Sequence, residues 1–546
     1  MRSSFRPSTS RVPTSTSPFT TPALPAIDTA ALLAALPARL SDIPLQWASR
    51  TPAAHALHED GRHWRYAELA GAITTCAAQL TAWGVRPGDR LLVVGENSVA
   101  QVVLLFAAAS IDAWFNGVSG RLAARELDAI RAHATPRLSI YLSASSPEAA
   151  AHGQRHGARL EATALGGSWM VGAPDQRSAA EPVAQSNRDQ VAALIYTTGT
   201  TGQPKGVMLS HRNLLFVAAV SSTLRGLTRH DRAYGVLPIT HVYGLASVML
   251  GTLYAGACLY LAPRFSAPAL LHTLRHEALT IIQGVPAMYA RLLDLHGAAG
   301  ADGALRCRLR FLYAGGSPLD PALKSAVERL FGLPLHNGYG MTECAPTISQ
   351  TRLDAPRADT SVGWPIPGVS VRLADTNGVA VANGDVGELW MHGPNIMLGY
   401  YRAPDLTAAA LRPGGWLNTG DLARQEADGA LFIVGRSKEL IIRAGFKVYP
   451  LEVETLLNSH PAVIQSAVVG RAVAGGEEEV VAFVETDSHQ AVNPAALHAY
   501  LAPLLASYKL PTRIILMAAL PAAPSGKILK GQLALLAADA GPAGIA

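Results

Sequence analysis

The chain has 546 residues, of which 49% are hydrophobic and only 16% charged, and its formal net charge is +5. That length exceeds what one core serves and predicts two or more domains, while a weak positive balance with no basic stripe interleaved with aromatics excludes a nucleic-acid partner. The four cysteines, Cys76, Cys258, Cys307 and Cys344, form no CxxC pair or Cys/His cluster, which excludes a disulfide framework and structural zinc and predicts a reducing, cytoplasmic setting.

Residues 1–44 are rich in Ser, Thr and Pro, carry Arg2, Arg6 and Arg11, and have no acid before Asp28. The composition is that of a transit peptide. Pro7, Pro13, Pro18, Pro22 and Pro25 oppose the amphipathic helix such a peptide uses, so a disordered tail is expected. Helical spacing runs from Tyr66 to Trp83. The apolar run Arg90 to Val94, bounded by Gly88-Asp89 and Gly95, predicts a buried strand. Val99 to Ser110 is helical again. Its apolar stretch ends at Asp112, short of the roughly 20 residues a membrane span needs, so a buried helix is expected and no membrane-spanning segment. Strand-sized runs recur at 192–196, 257–261, 281–285 and 310–313, each followed by loop residues and then helix. This alternation predicts an α/β domain with mostly parallel sheets. From about Gly363 the texture turns β-rich, at 369–373, 387–392 and 431–434. After Arg436 a smaller α+β segment runs to about 538.

The sharpest feature is Tyr196-Thr-Thr-Gly-Thr-Thr-Gly-Gln-Pro-Lys-Gly206, placed after a strand and before a helix that starts near Ser210. Gly199 and Gly202 let the backbone turn tightly and bring N–H groups to an anion. Thr197, Thr198, Thr200 and Thr201 add hydroxyls, and Lys205 adds a mobile cation. The segment predicts a polyphosphate cradle. It is not a Walker A loop, because Pro204 stands where the second glycine belongs.

This segment resembles the signature of the adenylate-forming superfamily, which comprises acyl- and aryl-CoA synthetases, peptide-synthetase adenylation domains and beetle luciferases. Other segments similar to that family follow in order: Leu237-Pro-Ile-Thr-His-Val-Tyr-Gly244, Ala314-Gly-Gly-Ser-Pro-Leu319, Asn337-Gly-Tyr-Gly-Met-Thr-Glu343, Gly415-Trp-Leu-Asn-Thr-Gly-Asp421, Gly435-Arg-Ser-Lys-Glu-Leu-Ile441 and Pro524-Ser-Gly-Lys527. The resemblance covers about 45–538 and is closest to acyl-CoA synthetases acting on fatty or aryl acids. It implies ATP, Mg²⁺ and coenzyme A, with acyl-AMP made first and acyl-CoA second. It also implies an adenylation domain over 45–435, a hinge at 436–438, a mobile domain over 439–538 and a short tail to 546, in a monomer or homodimer.

Residue by residue, the resemblance places adenine against Tyr339, flanked by Gly338 and Gly340, with Asn337 at the base edge; the residues alone also fit a Gly-rich turn around a core tyrosine. It places the α-phosphate on Thr342 and Mg²⁺ on Glu343, a hard cation needing only one or two carboxylates beside phosphates. Asp421 is expected to accept from the ribose hydroxyls with Arg436 beside it, or to pair with Arg436 across a domain boundary, or both. Lys527 is expected to stabilise charge developing during adenylation. Lys438 matches the hinge, and Gly445 lies in the segment lining the pantetheine tunnel. Some relatives have lysine where this chain has Ile442, and Arg443 is the candidate to replace it. His241 falls at the gate beside the substrate carboxylate. The acyl wall is expected at Gly284, Val285, Gly315, Gly316, Gly338 and Met341, and Gly315, Gly316 and Ser317 are also expected among the nucleotide-binding positions. The stretch 239–243 has no acid to pair with a substrate ammonium, which disfavours amino acids. Arg291 leaves a malonate-type dicarboxylate open. The competing functions are loading of a carrier-protein thiol and a non-catalytic nucleotide-binding module; the second predicts loss of Lys527, Glu343 or Asp421, and all three are present.

Overall fold

Apolar runs without polar alternation must be covered on both faces, which is the situation of a central parallel strand. In the computed structural model, which describes residues 27–539 apart from 164, 199–203, 299–303, 376, 383, 444–445, 474–477, 487–491 and 523–527, Arg90–Val94 is a strand buried at every position. It pairs in parallel with Trp114–Val118 and Leu138–Tyr141. These strands are central to an eight-stranded sheet with antiparallel outer pairs. A nine-stranded sheet has a parallel centre of Arg232–Gly235, Cys258–Leu261, Ile281–Gly284, Phe311–Ala314 and Leu335–Gly340. The helices Val99–Ser110 and His211–Leu224 are apolar nearly all round and bury almost every side chain, as enclosed helices must. One continuous core joins them to both sheets. No helix among the described residues is long and apolar enough to cross a membrane.

A third sheet, antiparallel and five-stranded, carries Ser370–Ala374, Gly387–His392, Trp416–Gln425 and Leu431–Arg436. The chain leaves it through a single 3₁₀ turn, Ser437–Glu439. Beyond lie the hairpin Ile441–Arg443/Phe446–Val448 and a three-stranded sheet, Val463–Ala472, Glu478–Thr486 and Arg513–Met517, with helices packed on it. The apolar clusters of this part are separate from the large core. The architecture is therefore α/β with a β-rich subdomain and a small α+β domain.

One expectation needs correction. Composition predicts a disordered tail through residue 44, but Thr29–Ala35 is a helix capped by the Asp28 carboxylate. Leu36 and Leu40 enter the core behind it, and Arg39 pairs with Asp112 at 2.6 Å. The apolar cluster at 32–40 gains enough burial to fold, and a composition averaged over 1–44 hides it; residues 1–26 lie outside the described residues. The helix expected near Ser210 is present, and the structure adds a strand ahead of it. Strand Pro204–Ser210 intervenes, antiparallel to Val191–Thr198, and the helix then starts at His211 with Ser210 as its cap.

Candidate active site

The strand register sets Thr197 opposite Lys205 and Thr198 opposite Pro204. Gly199, Thr200, Thr201 and Gly202 lie outside the described residues. Lys205 carries its ammonium 5.7 Å from the centre of the Tyr400 ring. The Tyr400 hydroxyl donates to Glu343 Oε1 at 2.7 Å. Burial first, and then the Glu343 charge, push the Tyr400 pKa upward, so the hydroxyl stays a donor. Thr342 and Glu343 sit in a 3₁₀ turn at the end of strand Leu335–Gly340, both buried. Lys205, Tyr400, Glu343 and Thr342 thus gather a cation, two hydroxyls and a carboxylate. That set suits a phosphate chain with a divalent ion. Glu343 fits the part of Mg²⁺ ligand, since one carboxylate beside phosphates suffices.

The second wall is built on Asp421. Strand Trp416–Gln425 places it directly opposite Arg436 in the sheet, and Arg436 Nε lies 3.1 Å from Asp421 Oδ1. The Tyr339 hydroxyl donates to the other oxygen of Asp421. Burial, then the Asp421 charge, raise the Tyr339 pKa well above its ordinary value. Glycine is required at 340, where a Cβ would lie 1.8 Å from the Pro346 carbonyl oxygen. Asn337 is 3% exposed. Its amide nitrogen donates to the carbonyls of Thr360 and Ser361, and its oxygen accepts from Gly338 N. This commitment places Asn337 beneath the site as a brace and leaves it poorly placed to read a base edge.

Tyr243 organises the third wall. It opens a π-helix, Tyr243–Leu250, a wide-turn geometry that often marks functional sites. A Cβ added at Gly315 would meet the Tyr313 and Tyr243 rings at 3.4 and 3.5 Å, and one at Gly316 would meet Val285 at 3.6 Å and Tyr243 at 3.9 Å. The two glycines therefore leave a slot beside the Tyr243 ring, with Ser317 exposed at its rim. Gly338 does not widen it. The Tyr313 hydroxyl already occupies the space a Cβ would take there, at 1.7 Å, so Gly338 offers no open wall. Gly284 faces Met288 and Tyr289, and Met341 is half-buried. Behind Tyr313 lies the buried Arg225, its guanidinium 4.5 Å from the ring centre and hydrogen-bonded to Gln283, Gln350 and the Ser247 carbonyl. His241 is exposed, with Nδ1 accepting from Tyr243 N at 3.3 Å. Arg291 is exposed on helix Pro286–Ala298.

Lys438 is exposed in the turn between the two parts of the chain. Arg443 donates to the carbonyls of Tyr508 and Leu510, so it is engaged within the small domain, while Ile442 is exposed. Lys527 and Gly445 lie outside the described residues.

With this geometry in hand, comparison with known proteins is decisive. Residues 45–401 match the AMP-binding enzyme family and 452–527 match the AMP-binding enzyme C-terminal domain. The chain belongs to the AMP-binding enzyme family. A feruloyl-CoA synthase from Amycolatopsis sp is 35% identical over 90% of this chain and 98% of its own. Among solved structures, ATP-bound MatB from Rhodopseudomonas palustris superposes with a TM-score of 0.80 at 29% identity, covering 91% of this chain and 99% of that one. An o-succinylbenzoate coenzyme A synthetase from Bacillus subtilis, in complex with ATP and magnesium ion, gives 0.77 at 27% identity, covering 90% and 98%. This member of the AMP-binding family is an AMP-forming acyl-CoA synthetase, an acid–thiol ligase that uses ATP, Mg²⁺ and coenzyme A.

Several residues that brace the segments around this site carry no motif of their own. Asn395 donates to the carbonyls of Cys344 and Thr347 and so holds the Thr342–Cys344 turn. Asn213, on the helix after strand Pro204–Ser210, holds the carbonyls of Pro394 and Ile396 on either side of Asn395. Asn97 braces the 235–239 loop through Gly235, Leu237 and Ile239. Lys530, three residues after Lys527 in sequence, bridges Glu439 of the turn and Glu454 at 2.8 Å each. The one sequence signal among the first three is the Ser210-x-x-Asn213 spacing, which marks Asn213 at a helix start.

Proposed function

We propose that the chain joins an uncharged aryl acid, of the arylpropenoic kind, to coenzyme A. The observation that carries this reading is the slot beside Tyr243, lined by Gly315 and Gly316, where a Cβ would already touch the surrounding rings, and closed by Tyr313 over Gly338. Flat apolar walls with a closed end favour a ring over a long chain. Arg291 is exposed, so no arginine fork is at hand there for a second carboxylate. The 35% identity to a feruloyl-CoA synthase supports the same class.

In the proposed arrangement residues 197–202 and Lys205 hold the polyphosphate, Thr342 the α-phosphate and Asp421 the ribose, with Tyr339 against adenine. Mg²⁺ on Glu343 neutralises phosphate charge. The substrate carboxylate oxygen attacks the α-phosphorus and pyrophosphate leaves, giving acyl-AMP. The Lys527 ammonium stabilises the charge on the attacking carboxylate and the five-coordinate phosphorus, and His241 gates the carboxylate. Rotation about Lys438 then withdraws Lys527 and brings the Gly445 segment up to line the thiol path. The thiol sulfur attacks the acyl carbonyl carbon, and AMP leaves. A cytoplasmic location belongs to this reading, supported by four unpaired cysteines, three of them buried.

The test is coenzyme A thioester formation across benzoate, cinnamate, its 4-hydroxy and methoxy derivatives, octanoate, palmitate and malonate. An arylpropenoic acid is expected to give the highest kcat/KM, above the fatty acids by about 10–200-fold, the worth of a methylene-scale misfit in an apolar pocket. A fatty acid or malonate in first place would overturn the aryl assignment.

A further inference from the structure

At the outer edge of the nine-stranded sheet lies a cluster unconnected with nucleotide or acid. The hairpin His55–Glu59/Arg62–Arg65 forms the last two strands. His58 stands directly across from His63 on one side and from Tyr260 on the other. Residues in one row of a pleated sheet point to the same face. Accordingly the His58 ring centre is 4.5 Å from those of His63 and of Tyr260. His55 stacks on His63 at 4.3 Å. Glu277, at the end of helix Ala267–His276, brings a carboxylate to the same spot. The ligand atoms of His58, His63 and Glu277 all lie within 4.8 Å of one another, and all three residues are half-buried.

We propose that His58, His63 and Glu277 form a binding site for a divalent cation of the zinc class. Two imidazoles and one carboxylate are the donors such borderline ions select, whereas Mg²⁺ prefers oxygen alone. Metal–ligand bonds of about 2.0–2.2 Å set tetrahedral ligand atoms roughly 3.5 Å apart, so small side-chain rotations close the site. The Tyr260 hydroxyl, 3.2 Å from His63 Nε2, orients that ring as outer partners of metal-bound histidines do. Arg232, which donates to the Glu277 carbonyl, adds opposing charge that the Glu277 carboxylate offsets. The ion would tie the edge hairpin to the segment leading into strand Ile281–Gly284. Its effect is on the stability of this edge, and the ligase reaction does not need it.

The test uses the full-length protein freed of metal with a chelator, in excess Mg²⁺ and without ATP. Zn²⁺ titrated against a chromophoric competitor is expected to fill one tight site and raise the thermal unfolding midpoint. Co²⁺ is expected to give the intense visible bands of tetrahedral coordination. His63→Ala and Glu277→Gln should each weaken Zn²⁺ binding by more than about tenfold while retaining ligase activity with Mg²⁺-ATP. Retained activity also shows that each variant is folded, and if His63→Ala does not fold, Glu277→Gln decides. The neighbouring stacked pair His272/His276 provides the control. Tight binding that survives Glu277→Gln and His63→Ala, binding abolished by His272→Ala, or no tight equivalent in the wild type would overturn the proposal.

Discussion

Asp421 is the residue on which two readings meet, ribose acceptor and partner of Arg436. The structure shows the Arg436 contact at 3.1 Å and adds the Tyr339 hydroxyl. The two bonds hold the carboxylate in one orientation. Hydrogen bonds to a charged group contribute about 1.5–3 kcal/mol, so Asp421→Ala is expected to raise KM for ATP in pyrophosphate exchange by about 10–100-fold. An unchanged KM with a lowered melting temperature would leave Asp421 only the ion pair. Asp421 and Glu343 are legible in the sequence because each sits in a short, distinctive motif. Tyr400 is not, although it links Glu343 to Lys205: a tyrosine in a Gly-Tyr-Tyr stretch offers no signal until folding brings strand Gly399–Tyr400 beside Pro204–Ser210. Asn337 is visible in its motif, yet its partners Thr360 and Ser361 are distant in sequence, so the chain alone suggests a base contact where the fold uses the amide as a brace.

Elements were readable where one physical pattern dominated. Apolar runs bounded by glycine gave the buried strands, and Arg90–Val94, Val99–Ser110 and Gly387–His392 have the bounds the pattern predicts. Strand Pro204–Ser210 was not readable, because Pro-Lys-Gly reads as loop and only pairing with Val191–Thr198 makes it extended. The turn Ser437–Glu439 is the element with the sharpest consequence. It joins two regions with separate cores, and Lys438 is exposed in it. Proline fixes φ near −65° and removes a backbone donor, so Lys438→Pro is expected to hold one domain orientation. Pyrophosphate exchange should stay within about tenfold of wild type while acyl-CoA production falls by on the order of 10²-fold, as hinge control of turnover implies. Both rates measured on one folded preparation check it; a parallel fall in the two would move the pivot elsewhere.

For the whole molecule, the division of labour follows from how the cores are divided. The large core supports the elements that carry Glu343, Asp421, Tyr243 and the strand pair around Lys205, and the small domain, with its own clusters, carries Lys530, three residues after Lys527 in sequence. A fixed cation near the phosphorus helps only the step in which phosphorus is attacked. The thiol step needs that cation out of the way. The most direct measurement is therefore Lys527→Ala assayed in the two half-reactions separately, by pyrophosphate exchange and by thioester formation from supplied acyl-AMP. Exchange is expected to fall by roughly 10²–10³-fold or more, with thioester formation from acyl-AMP close to wild type. Equal losses in both half-reactions would contradict the assignment of Lys527 to adenylation alone and, with it, the alternation of the small domain between two working positions.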